Sequence, residues 1–195
     1  MAETKAKRFL SLFLLLLSTT AATSKNTTTD FIRQSCGKTL YPSLCYASLA
    51  PYATAVKQDP VKLAVAAANV SLSKIHDASS LAAAFRLSST GRVSAALRDC
   101  VDTLGAAADL TNRSAGEITK LGDASKTGGS GEIAWEVSNA QTWMSAAMTN
   151  EETCLDGFDG VRAGRGVRAM CDRVGGVKKY TSNALALLNT LVHGS

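Results

Sequence analysis

The stretch WMSAAMTNEETCLDGF, from Trp143 to Phe158, reads as an amphipathic helix with a cysteine in its apolar face. Its apolar residues recur every three or four positions, and Cys154 falls on that stripe directly after the polar segment TNEET. A thiol in this place is a nucleophile, a metal ligand, or half of a cross-link to another helix. Each choice gives the chain a different function, so the remaining sequence has to distinguish them.

Three further apolar stripes with the same period predict four long helices in total. The stripes run from Val61 to Phe85, from Val93 to Ile118, from Val137 to Phe158 and from Val167 to Leu191. Asp59-Pro60 is typical of a helix N-cap followed by proline in the first turn, and we expect a first long helix of roughly 28 residues there. Short connections make neighbouring helices antiparallel, so the expected fold is all-α, an up-down-up-down four-helix bundle.

Two shorter segments complete the predicted architecture. Residues 30–50 form a small helical arm before the bundle, with a short helix that begins at Tyr41-Pro42 and ends at Pro51. The glycine-rich segment GDASKTGGSG, from Gly122 to Gly131, is predicted to be the loop that separates the second long helix from the third.

The first 24 residues predict a secretory signal peptide. A charged start, MAETKAKRF, leads into the apolar run LSLFLLLL and then into the small polar residues STTAATS. The apolar run of about nine residues is well short of the roughly 20 that span a bilayer, so we expect no membrane anchor. Cleavage near Lys25 leaves residues 25–195 as one secreted domain.

The charge of the predicted mature chain argues against nucleic acid as a partner. Removing residues 1–24 takes away Lys5, Lys7, Arg8 and Glu3, which lowers the net charge from +5 to +3. The remaining charges are dispersed along the sequence without a run of lysines or arginines, and aromatic residues that could stack on bases are few.

Five cysteines in a secreted chain predict at most two disulfides and one free thiol. Cys100 and Cys154 lie on the apolar stripes of two long helices, where facing positions allow a bridge. Cys36 and Cys45 can instead close the helical arm locally around Tyr41-Pro42. Cys171 is then left over, and its place on the stripe of the last helix predicts an inert core residue.

No residues assemble a predicted active site, metal site or cofactor site. The chain has no CxxC pair and only two histidines, His76 and His193, so neither a zinc site nor a base for a nucleophile is supplied. We therefore expect a protein that is not an enzyme. Three sequons, at Asn26, Asn69 and Asn112, fit the secretory route and are candidate glycosylation sites.

Four phrases together resemble one family. They are TLYPSLC between Cys36 and Cys45, ALRDCVDTL at residues 96–104, WMSAAMTNEETCLDGF, and TSNALALLNTL at residues 181–191. In this combination the chain resembles the plant cell-wall inhibitors of pectin methylesterase and of invertase. The resemblance implies a four-helix bundle with an N-terminal helical hairpin. It also implies that the first cysteine pairs with the second, the third with the fourth, and that Cys171 stays free.

The resemblance implies a non-covalent inhibitor that docks 1:1 across the pectin-binding cleft of a pectin methylesterase. TNEETCLDGF is similar to the pectin methylesterase inhibitors of the family. The Pro-Lys-Phe motif of the invertase inhibitors is absent from the sequence. The chain ends at Ser195 without an esterase domain, so we expect a stand-alone inhibitor. The implied contact residues lie on the second and third long helices: Asp99, Asp102, Asn150, Glu151 and Thr153.

Two alternatives remain open. One is an inhibitor of acid invertase with the same architecture. The other is a non-inhibitory bundle that carries a small apolar ligand, although alanine-rich stripes favour close helix packing over a cavity. For Glu151 the alternative is an internal hydrogen bond, which applies if this residue lies on the core stripe.

Overall fold

The computed structural model describes residues 27–127, 130–162 and 164–191. The predicted signal peptide (residues 1–24), Asn26 and His193 lie outside these ranges, and so do residues 128 and 129 of the predicted glycine-rich loop. The helices are α1 (27–36), α2 (Pro42–Leu49), α3 (Ala53–Val56), α4 (Pro60–Leu87), α5 (Gly91–Thr127), α6 (Ser130–Asp156) and α7 (Arg165–Asn189), with a 3-10 turn at Ala50–Tyr52. No strand occurs in the described residues.

Helix α4 begins where the sequence predicts and has the predicted length of 28 residues. The carboxylate of Asp59 accepts hydrogen bonds from the backbone N–H groups of Val61 at 2.9 Å and Lys62 at 3.1 Å. Pro60 occupies the first turn, where its missing N–H would have no partner in any case. The N-cap prediction at Asp59 is therefore confirmed.

Helix α5 is longer than predicted. The expected loop from Gly122 to Gly131 is wrong, because α5 continues to Thr127 and α6 already begins at Ser130. A glycine costs a helix only about 1 kcal/mol relative to alanine, and extending an existing helix adds one hydrogen bond per residue. With Ile118 and Leu121 buried in the core just before Gly122, the helix is anchored and continues past the glycine.

Helices α1 and α2 form the predicted hairpin. The disulfide between Cys36 and Cys45 joins them, with the two Cα atoms 5.5 Å apart. The side chain of Asn183 on α7 holds the turn of the hairpin against the bundle. Its Oδ1 accepts from the N–H of Tyr41 at 3.1 Å and its Nδ2 donates to the carbonyl of Tyr41 at 3.0 Å.

The four long helices form a closed ring in which α4 packs on α5, α5 on α6, α6 on α7 and α7 on α4. The antiparallel register of α5 and α6 follows from two contacts. Cys100 is bonded to Cys154, and the hydroxyl of Ser114 donates to the carbonyl of Ala140 at 2.8 Å. Because the second contact lies later on α5 and earlier on α6, the helices run in opposite directions. The predicted all-α four-helix bundle is thus confirmed.

The interior of the bundle holds two apolar clusters with buried polar side chains between them. One cluster, around Leu63, Ile118 and Leu187, lies at the hairpin end, and the other surrounds the disulfide of Cys100. None of the helices in the described ranges is long and apolar enough to span a membrane.

Candidate partner-binding face

The disulfide between Cys100 and Cys154 is the fixed point of the candidate site. It joins α5 to α6 with the two Cα atoms 4.2 Å apart, and both cysteines are buried. Both disulfides therefore have the pairing that the resemblance implies. Cys171 is free, as expected, but it lies at the edge of the core and is only partly buried, so the prediction of a core residue is wrong. Burial, together with the nearby carboxylate of Asp172, raises the pKa of the Cys171 thiol.

Four of the predicted contact residues lie on one outer face of the α5–α6 pair. Successive residues of a helix are about 100° apart around its axis. Asp99 and Asp102 therefore project to the same side of the α5–α6 contact, which Cys100 marks on α5. Because α6 runs antiparallel to α5, the same spacing counted back from Cys154 places Asn150 and Thr153 on that side as well. Asp99, Asp102 and Thr153 are exposed, and Asn150 is half-buried. We call this surface the acceptor face.

The hydrogen bonds of these residues leave mainly acceptor groups facing outward. The hydroxyl of Thr153 donates to the carbonyl of Thr149 at 2.9 Å, and the amide nitrogen of Asn150 donates to the carbonyl of Ala146 at 2.9 Å. The carboxylate of Asp99 pairs with Arg98 at 3.2 Å, with both side chains more than half exposed. Asp102 makes no ion pair with any described residue. The acceptor face thus offers carboxylate, hydroxyl and amide oxygens to a partner that supplies N–H or O–H donors.

The structure corrects the assignment of Glu151. Its side chain is fully buried, so it cannot contact a partner. Glu151 lies three residues before Cys154 on α6, and residues three apart share one face of a helix, in this case the face that points into the core. Oε1 accepts a hydrogen bond from the hydroxyl of Thr181 at 2.6 Å, and the hydroxyls of Thr181 and Ser71 share a hydrogen bond of 2.7 Å. Glu151 therefore connects α6 to α7 and α4, which is the internal role left open by the sequence.

The environment of Glu151 favours its neutral form. Its Oε2 is buried and has no hydrogen-bond partner among the described residues. Burial raises the pKa of Glu151 to about 7, although the hydrogen bond from Thr181 and the positive charge of Lys178 both lower it. Lys178 itself forms an ion pair with Glu152 at the surface. The loss of hydration on burial therefore raises the pKa by more than Thr181 and Lys178 lower it.

Sequence reasoning missed one residue of the acceptor face. Thr149 is exposed and lies one turn before Thr153 on the same side of α6, and its hydroxyl donates to the carbonyl of Ser145 at 3.2 Å. The spacing of four residues between the two threonines was the available signal.

The candidate glycosylation sites Asn69 and Asn112 are both exposed, within α4 and α5. In the described ranges, no three His, Cys, Asp or Glu side chains are placed to hold a metal ion.

Comparison with known proteins identifies the family. Residues 30–187 match the family profile described as plant invertase/pectin methylesterase inhibitor. The chain belongs to this plant inhibitor family. The predicted resemblance is thereby confirmed, and because the family description names inhibitors, so is the prediction that the chain is not an enzyme.

The relatives of this inhibitor-family chain extend over most of its length. It is 37% identical over 196 residues to Pectinesterase inhibitor 11 of Arabidopsis thaliana, which covers 93% of this chain and 95% of that protein. It is also 37% identical over 171 residues to Pectinesterase inhibitor 10 of Arabidopsis thaliana, with 85% of this chain covered. The match takes up 52% of that relative, so the chain spans about half its length.

A solved structure agrees with the fold of this inhibitor-family chain. The crystal structure of a mutant form of a pectin methylesterase inhibitor from Arabidopsis superposes with a TM-score of 0.61 at 19% sequence identity. The match covers 79% of this chain and 92% of the solved one. At this identity the similarity supports the fold alone.

Proposed function

We propose that the chain is a secreted inhibitor of a plant pectin methylesterase that forms a non-covalent 1:1 complex. In this complex the acceptor face of α5 and α6 covers the pectin-binding cleft of the enzyme and excludes the polysaccharide. The contacts come from Asp99, Asp102, Asn150 and Thr153, together with Thr149.

The observation that carries the proposal is the acceptor face itself, exposed on two helices that a disulfide joins. A cleft that holds a chain of acidic sugars has to supply hydrogen-bond donors and positive charge. The outward oxygens of Asp102 and Thr153 complement such groups, which gives orientation and specificity. Because the Cys100–Cys154 disulfide and the bundle hold the face rigid, docking orders few side chains and loses little entropy.

The names of the two relatives favour pectin methylesterase over invertase as the target, since both are named pectinesterase inhibitors. The absence of a Pro-Lys-Phe motif from the sequence points the same way. Acid invertase is the second candidate, because the family description includes invertase inhibitors. An assay that includes both enzymes separates the two.

The contribution of the acceptor face can be tested with a double variant, Asp102→Asn with Thr153→Ala. Both side chains are exposed, so we expect an intact fold and an inhibition constant for pectin methylesterase that is at least about tenfold weaker, or about 1.4 kcal/mol. The matched control carries the same two changes elsewhere, Asp77→Asn on α4 and Thr54→Ala on α3, where both residues are also exposed. Equal inhibition by the two double variants would show that the acceptor face is not the binding site.

Secretion is part of the same proposal. Residues 1–24 act as a signal peptide that is removed, so the secreted protein begins near Lys25 and consists of one domain over residues 25–195. N-terminal sequencing and intact mass of the protein exported from plant cells test this, and the mass also reports whether Asn26, Asn69 or Asn112 carries a glycan. Export with residues 1–24 still attached would contradict the proposal.

A further inference from the structure

Five exposed arginines lie at the end of the bundle opposite the hairpin. Arg86 is in the last turn of α4 and Arg92 in the first turn of α5. Arg162 lies in the connection from α6 to α7, and Arg165 and Arg168 are in the first turns of α7. We call this surface the arginine end.

The packing of the helix ends brings these residues together. A Cβ atom on Gly166 would overlap the ring of Phe85, so the start of α7 touches the last turn of α4. Arg165 and Arg86 directly adjoin these two residues in sequence. Phe158 belongs to the apolar cluster under this end and Val161 packs against it, which holds the connection that carries Arg162 close to the bundle.

The arginine end carries unbalanced positive charge. None of its five arginines forms an ion pair with any described residue; among the arginines of the described ranges, Arg98 pairs with the neighbouring Asp99. Only Asp156 and Asp159 supply negative charge in the last turn of α6 and in the described part of the connection that follows. Within these bounds the excess is +3, and the next carboxylate on α7, Asp172, lies one turn after Arg168.

We propose that the arginine end binds de-esterified pectin, the polyanionic chain of uronic acids that a pectin methylesterase produces. This inference rests on the proposed function, because that function makes the polymer the product of the inhibited enzyme. Guanidinium groups suit the task, since their planar forks bind carboxylates through paired hydrogen bonds. Pectin that keeps its methyl esters lacks those carboxylates and binds less.

The arginine end and the acceptor face bind different partners, the polyuronate and the esterase. Along α5, Arg92 and Asp99, the nearest members of the two surfaces, are separated by roughly 10 Å, at 1.5 Å per residue. The acceptor face carries carboxylates and repels a polyuronate, whereas the arginine end attracts it. Binding to the product therefore leaves the acceptor face free and retains the inhibitor where the esterase has already acted.

The experiment measures binding of the oxidised, signal-free protein to immobilised polygalacturonate and to highly methyl-esterified pectin, at several salt concentrations. We expect binding to polygalacturonate that weakens as salt rises, and markedly weaker binding to the esterified polymer. The variant Arg162→Gln/Arg165→Gln/Arg168→Gln should bind polygalacturonate about tenfold more weakly, since one exposed charge pair contributes up to a factor of about five.

A second triple variant controls for the loss of three charges. Lys38→Gln, Lys57→Asn and Arg113→Gln remove three exposed cations outside the arginine end. Asparagine is chosen at Lys57 because the backbone there has a φ of 49°, which asparagine tolerates. This variant should bind polygalacturonate like the wild type.

Inhibition of pectin methylesterase in solution, measured for all three proteins, separates this inference from the proposed function. Unchanged inhibition by the arginine variant, with weakened binding to the polymer, supports the inference. Absence of polygalacturonate binding by the wild type, or equal loss in both triple variants, overturns it whether or not the esterase is inhibited. If the arginine variant loses esterase inhibition while its polymer binding is unchanged, the arginine end is an enzyme contact and the inference is wrong. Polymer binding without esterase inhibition would overturn the proposed function instead.

Discussion

The change Glu151→Gln tests whether a neutral carboxyl group links three helices inside the bundle. Glu151 is fully buried, accepts a hydrogen bond from Thr181 at 2.6 Å, and reaches Ser71 of α4 through that hydroxyl. Burial raises its pKa to about 7 from the ordinary value of 4.5. Lys178, on α7, is the charged group that lowers this pKa, and Ser71, on α4, is the uncharged partner.

The direction of the pH effect follows from this raised pKa. Between about pH 4.5 and pH 7 the folded protein holds a proton on Glu151 that the unfolded chain has already released. The contribution of Glu151 to stability is therefore fully present below pH 4.5 and is lost as the pH rises through 7. The gap between the two pKa values corresponds to about 3 kcal/mol in the free energy of unfolding.

Unfolding of the wild type and of Glu151→Gln, followed by circular dichroism from pH 4.5 to pH 8.5, measures this contribution. Glutamine cannot ionise, so the stability of the wild type relative to the variant should fall by about 3 kcal/mol across that range. For a domain of this size the corresponding change in the difference between the two Tm values is roughly 6–12 °C. The analogous change at the exposed Asp109 of α5, Asp109→Asn, serves as the control, because Asp109 makes no ion pair with any described residue. Parallel profiles for the wild type and Glu151→Gln would refute the buried neutral carboxyl.

Two other substitutions test how the helices are held together. Gly166→Ala places a Cβ atom against the ring of Phe85, so we expect a loss of about 1–3 kcal/mol in thermal unfolding, whereas Gly176→Ala, inside the same helix, meets no atom within 4 Å and should not destabilise the protein; equal Tm values would contradict this close contact. Asn183→Ala removes both hydrogen bonds to Tyr41 and should cost about 2 kcal/mol. Hydrogen exchange in α1 and α2 should then accelerate more than in the long helices, and uniform exchange would exclude Asn183 as the anchor of the hairpin.

The parts of the fold that depend on local sequence were predictable. Asp59 with Pro60 marks the start of α4, and the apolar period gives its length, because capping and amphipathic burial are properties of a single segment. The end of α5 was not predictable in this way. The cost of Gly122 is visible in the sequence, but the buried contacts of Leu121 that offset it come from the neighbouring helices.

The same distinction between local signals and contacts with other helices applies to the candidate site. Asp99, Asp102, Asn150 and Thr153 lie on the expected helices near the disulfide, because helical spacing around a cysteine is readable from sequence. Glu151 was assigned to the surface because glutamate is usually solvated, and the hydroxyl of Thr181 that accompanies its burial lies on α7, far away in the sequence. The contacts of Asn183 with Tyr41 join residues far apart in the chain and leave no local signal.

The most direct test of the account is a titration of a plant pectin methylesterase with the oxidised, signal-free protein at mildly acidic pH, with an acid invertase assayed in parallel. We predict that esterase activity falls linearly to near zero at one inhibitor per enzyme, while invertase activity is unchanged. Full esterase activity in the presence of excess protein would contradict the proposed function, and loss of invertase activity alone would transfer the role to the second candidate.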